Sequence, residues 1–116
     1  MPDITLYHNP NCSKSRGAKE ILESSGADFE VVEYLKTPLS ATQIGALLDK
    51  LGVEPAELVR KDSHFKELGL DPAHYTTAES VADLLAEHPR LMQRPVVVRG
   101  GRAVIARPSE LVEELL

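Results

Sequence analysis

The sequence predicts an α/β fold with a mixed sheet, ordered β-α-β, a helical segment, then β-β-α. Three observations predict it. Strand, helix and second strand follow one another over the first thirty-five residues, which implies parallel strands joined by a right-handed crossover. From about residue 40 to 90 the apolar residues recur at helical spacing. Near the end, two β-rich runs flank Gly100-Gly101, the signature of an antiparallel hairpin.

Asp3 to Tyr7 reads as the first strand, with Ile4, Leu6 and Tyr7 apolar. His8 to Asn11 is turn chemistry, Asn-Pro-Asn. A helix then runs from about Ser13 to Ser25, with Ala18, Ile21 and Leu22 on one face and Gly26 as its stop. Phe29 to Leu35 is dense in valine and aromatic residues and reads as the second strand, broken by Thr37-Pro38. Ser40 with Gln43 forms a capping box, and Ile44, Leu47, Leu48 and Leu51 follow at helical spacing up to Gly52. Pro55 suits the first turn of a short helix ending near Arg60. Phe65 to Leu70 makes a further turn, stopped by Asp71-Pro72. Thr76 with Glu79 repeats the capping-box pattern before Val81, Leu84 and Leu85, and His88-Pro89 ends that helix. Val96 to Val98 and Ala103 to Ala106 are the hairpin strands. Pro108 opens a closing helix carrying Leu111, Val112, Leu115 and Leu116.

At 116 residues the chain forms one domain, 1–116, with the helical segment at about 40–90 as an insertion. A net charge of -5 argues against nucleic acid as a partner. There is no apolar run of membrane-spanning length, so no membrane partner is expected. The start of the chain has no basic-then-apolar signal pattern. A single cysteine excludes a disulfide framework and a cysteine-rich zinc site, so no metal is expected, and it fits a reducing cytoplasm.

That cysteine, Cys12, stands at the predicted helix start, in the carboxyl-end loop of the first strand, where open α/β sheets bind ligands. The first-turn N–H groups and the helix field favour a thiolate there. Lys14 and Arg16 add positive charge, and His8 is near enough in sequence to help ionise the thiol. Ser15 occupies the second position of a Cys-x-x-Cys pattern. A lone cysteine is usually a small buried hydrophobe, but a polar Asn/Pro loop is a poor core site.

Three arginines stand at element ends: Arg60 after the Pro55 helix, Arg94 before Pro95, and Arg107 before Pro108. With the sheet as predicted, Arg94 lies near the Cys12 loop, and an X-Pro bond at Pro95 can be cis. Guanidinium forks together with a helix N-terminus suit a tetrahedral oxyanion. Taken singly, each arginine reads as a surface charge, as Arg90, Arg99 and Arg102 do.

Tyr7-His8-Asn9-Pro10-x-Cys12-x-x-Ser15-Arg16, Leu58-Val59-Arg60-Lys61, Glu67-Leu68-Gly69-Leu70, His88-Pro89, Arg94-Pro95-Val96-Val97-Val98 and Arg107-Pro108-Ser109-Glu110 resemble, in order and from end to end, the glutathione/glutaredoxin-coupled arsenate reductases. The resemblance implies a thioredoxin-like fold with a helical insertion. It implies Cys12 as nucleophile, with His8 and Ser15 tuning its ionisation. It implies Arg60, Arg94 and Arg107 as oxyanion ligands and Pro95 as the structural cis-proline. Ser13-Lys14 replaces the small uncharged pair of the dedicated resistance enzymes, as in their short chromosomal relatives.

The activity so implied is reduction of arsenate to arsenite, with glutathione as co-substrate, no bound cofactor, and a glutaredoxin as partner. Two other functions use the same scaffold. A glutathione-dependent thiol-disulfide oxidoreductase would accept Ser15 but has no need of three guanidiniums. An Spx-like non-enzymatic redox regulator would bind RNA polymerase but usually switches through Cys-x-x-Cys. A cysteine phosphatase is disfavoured because Arg16 follows Cys12 too closely for a Cys-x5-Arg cradle.

Overall fold

The structure, a computed structural model, describes residues 3–93, 95–106 and 109–116. Arg94, Arg107 and Pro108 lie outside the described residues. The chain forms two compact units, Met1–Thr37 with Arg94–Leu116, and Pro38–Gln93.

The first unit carries a four-stranded sheet: β1 Ile4–Tyr7, β2 Phe29–Val32, β3 Val96–Arg99 and β4 Arg102–Ile105, in the order β2-β1-β3-β4. β1 is parallel to β2 and antiparallel to β3, and β3 and β4 form the hairpin. This is the mixed sheet that the element order predicts. Helix α1, Ser13–Ser24, connects the two parallel strands. Leu6 pairs with Val97, and Val97 pairs with Val104, so these side chains line one face of the sheet. There, with Ile4, they form a core with Ala18 and Leu22 of α1 and Val112 and Leu115 near the end of the chain.

Three expectations need correction here. β2 stops at Val32 rather than Leu35, because the Glu33 carbonyl accepts from the N–H groups of Lys36 and Thr37 and turns the chain. The closing segment is a 3-10 helix over Ser109–Leu115. Its three-residue repeat stacks Val112 on Leu115 and leaves Leu116 46% exposed, not in the buried stripe. Arg99 is not a merely solvated charge: it donates to the Leu115 carbonyl at 2.7 Å and to Asp3 at 3.1 Å.

The second unit is helical: α2 Ala41–Leu51, α3 Ser63–Glu67 and α4 Ala78–Glu87, with 3-10 turns at Pro55–Leu58, Pro72–His74 and Pro89–Leu91. α2 packs on α4. Ile44, Leu47, Leu48 and Leu51 are buried on α2, and Val81, Leu84 and Leu85 on α4. The Ser40–Gln43 capping box forms, and Gly52 ends α2 at φ 64°, a left-handed conformation that suits glycine. The second capping box lies one residue further on than Thr76/Glu79. Thr77 caps α4, accepting from the Ser80 N–H, and the Ser80 hydroxyl oxygen accepts the Thr77 N–H in return. The Pro55 turn ends at Leu58, short of Arg60. Val59 there adopts an extended conformation to bridge Met92, flanked by Arg60 N–H to Leu91 O at 2.6 Å and Gln93 N–H to Leu58 O at 2.7 Å. Among the described residues, no helix is long and apolar enough to cross a membrane.

Candidate active site

The last residue of β1 delivers the chain into a tight polar loop. The His8 N–H donates to the Val32 carbonyl at 2.9 Å, so the loop starts fastened to the end of β2. Asn9 then folds the chain back: its carbonyl accepts from the Cys12 N–H and its side-chain oxygen from the Asn11 N–H, both at 3.0 Å. The Arg16 guanidinium reaches back one turn and donates to the Pro10 carbonyl at 2.9 Å. Every residue from His8 to Cys12 thereby has a backbone group tied in place.

Cys12 is the N-cap residue of α1, with extended backbone, φ -103° and ψ 124°. It is partly exposed, which removes the reading of a buried core thiol. Its side chain takes no capping hydrogen bond. The first turn of α1 contains no acidic residue, so no carboxylate competes for the positive end of the helix.

Ser15 sits one turn into α1 on its buried face, with Ala18 and Leu22, and is fully inaccessible. Its Oγ accepts the Asn9 N–H at 3.0 Å and lies 2.6 Å from His8 Nδ1. Ser15 Oγ and His8 Nδ1 share a buried hydrogen bond whose donor is set by the imidazole tautomer. The structure thus brings His8 and Ser15 together, with Asn9 as a third member. Asn9 is buried, and the sequence reading treated it only as turn chemistry.

The surroundings of His8 disfavour its charged form. His8 is pushed below its ordinary 6.5, first by burial and next by Lys19; Glu33 opposes, and Arg16 adds a smaller push. That direction works against the charged imidazole. The unfolded chain takes up a proton near pH 6.5 that the folded chain refuses until lower pH. Stability from this group is complete above 6.5 and falls as the pH drops below it. His8→Asn, which keeps a polar partner for Ser15, should flatten that acid-side slope. Urea midpoints measured between about pH 7.5 and pH 5 test this, and an unchanged slope rules it out.

Arg60 belongs to the second unit. Its Nη2 lies 3.6 Å from Asp62 Oδ2, and its side chain is mostly buried. Asp62 also caps α3, its Oδ1 accepting the Phe65 N–H at 3.2 Å. The sequence reading did not single out Asp62, although aspartate three residues before a buried Phe65 is an N-cap signal. Pro95 is buried, and its carbonyl accepts the Ala106 N–H at 2.9 Å. Among the described residues, no three His, Cys, Asp or Glu side chains gather to hold a metal ion.

The chain matches the model of the ArsC family over residues 7–115. It is 42% identical to an arsenate reductase of Neisseria meningitidis serogroup A, over the full length of both proteins. An arsenate reductase of Escherichia coli is 37% identical across all of this chain, which spans 82% of that protein. An arsenate reductase structure from Vibrio cholerae superposes with a TM-score of 0.88 at 38% identity, covering 97% of each chain. The match takes in the last residue of β1, the whole cysteine loop, the helical unit, the hairpin and the closing 3-10 helix, on an α/β thioredoxin-like sheet: this chain belongs to the ArsC family.

Proposed function

We propose that this protein reduces arsenate to arsenite, with Cys12 as the nucleophile. The observation that carries the reading is a partly exposed thiol at the N-cap of α1, in a family member 42% identical to a protein named arsenate reductase. The Cys12 thiolate attacks As(V) and displaces hydroxide or water, forming an S–As bond. Arg60, Arg94 and Arg107 neutralise the oxyanion, stabilising charge as it develops. Reduction needs two electrons and hence two thiols. The chain has one cysteine, so glutathione supplies the other. The sum is arsenate plus two thiols giving arsenite, water and a Cys12–glutathione disulfide. A glutaredoxin then exchanges that disulfide and returns Cys12 to the thiol. Dependence on glutathione places the reaction in a reducing cytoplasm. We read 1–116 as one thioredoxin-like domain in which the helical unit is an insertion, with Pro95 as its cis-proline.

The test is NADPH oxidation coupled through glutathione reductase, glutathione and glutaredoxin, with and without arsenate. Arsenate-dependent oxidation that needs both thiol components is the expected result. NADPH oxidation driven by reduction of a mixed-disulfide substrate, with no response to arsenate, would replace this reading by thiol-disulfide exchange. Binding to RNA polymerase without turnover would replace it by an Spx-like regulator.

A further inference from the structure

We infer that Asp62 sets the charge preference of the Arg60 oxyanion subsite, weakening its grip on dianions relative to monoanions. This rests on the reading of Arg60 as an oxyanion ligand. The Arg60 backbone is pinned by its N–H bond to the Leu91 carbonyl, beside the Val59–Met92 bridge. Its side chain is 23% exposed and that of Asp62 33%. One guanidinium nitrogen, Nη2, faces Asp62 Oδ2 at 3.6 Å, beyond hydrogen-bond length. No hydrogen bond from Nε or Nη1 to any described residue is formed, so that edge of the fork is available to an anion.

The carboxylate cannot easily swing away. Its Oδ1 holds the Phe65 N–H at 3.2 Å, and Phe65 is buried, so moving Asp62 uncaps α3. An oxyanion on the open edge of the fork lies roughly 6–7 Å from that carboxylate, inside the screening length of about 8 Å at physiological salt. Asp62 therefore repels each negative charge the ligand brings, and a dianion pays twice what a monoanion pays. The same contact gives the guanidinium a fixed direction without occupying its ligand edge.

Asp62→Asn separates charge from structure, because the amide oxygen still accepts the Phe65 N–H. The experiment is isothermal titration of the full chain with sulfate and with perchlorate at constant ionic strength. These are a tetrahedral dianion and a tetrahedral monoanion. In Asp62→Asn the sulfate Kd should fall about three- to tenfold, and the perchlorate Kd by about the square root of that factor. Arg60→Ala should weaken both anions. Unchanged or weaker sulfate binding by Asp62→Asn overturns the inference, as does an equal gain for both anions. Wild-type sulfate affinity in Arg60→Ala overturns the Arg60 reading itself, a different result from failure at Asp62 alone.

Discussion

Cys12→Ser is expected to abolish arsenate-dependent turnover, by at least about a thousandfold, and to leave thermal stability unchanged or slightly raised. The first half follows from electron balance. A serine oxygen cannot give up an electron to As(V) or form the disulfide that carries the electrons away. The second half follows from local structure. Cys12 is the N-cap of α1 and its thiol makes no capping hydrogen bond. Serine is among the best N-cap residues, worth about 0.5–1 kcal/mol over residues that cannot cap. The coupled NADPH assay and a thermal melt on the same preparation check both halves. Turnover retained by Cys12→Ser would refute the nucleophile assignment.

The fold was legible to different degrees in different places, for local reasons. The parallel β1–β2 pair and the antiparallel β3–β4 hairpin were readable because strand-helix-strand order and Gly100-Gly101 each admit few geometries. The Ser40/Gln43 box was readable because both partners lie within one turn. At α4 the same rule chose the wrong frame, since Thr76-x-x-Glu79 and Thr77-x-x-Ser80 overlap and local pattern does not rank them. The end of β2 was misread because Val31, Val32, Tyr34 and Leu35 all favour strands, whereas the turn is set by the Glu33 carbonyl. The closing segment was misread because a run of apolar residues does not distinguish a 3.6-residue from a three-residue repeat over two turns.

Within the candidate site, the signals that work in sequence are those carried by spacing along one element. Cys12 and Ser15, three apart at a helix start, were readable in that way. The bond from His8 Nδ1 to Ser15 Oγ crosses seven positions and depends on how the loop folds, so sequence could name both residues but not their pairing. The buried state of Asn9 was invisible for the same reason. Arg60 was singled out from its place at an element end. Its partner Asp62 was not, because two residues along an irregular segment have no fixed relation until the backbone turns.

Ser15→Ala is the larger structural perturbation. Ser15 is fully buried, and its single oxygen satisfies the Asn9 N–H and engages His8 Nδ1. Alanine leaves both groups without that partner, and the space is too enclosed for water to compensate fully. An unmet buried polar group costs about 1–3 kcal/mol, while alanine returns about 0.5 kcal/mol of helix propensity. The net loss should be about 2–4 kcal/mol, read as a lower urea midpoint with unchanged slope. The measurement belongs at about pH 8, above the range where the unfolded chain's His8 takes up a proton. Loss of the tether also frees the backbone that presents Cys12, so alkylation of the thiol should change in rate as stability falls. A double-mutant cycle with His8→Asn isolates the pair, with a coupling of about 1–2 kcal/mol expected for groups this close. Additive effects within about 0.5 kcal/mol would mean that the two side chains do not support each other. Ser15 would then be a helix residue that happens to be buried, and the loop would owe its shape to the His8–Val32 bond, the two Asn9 oxygens and Arg16.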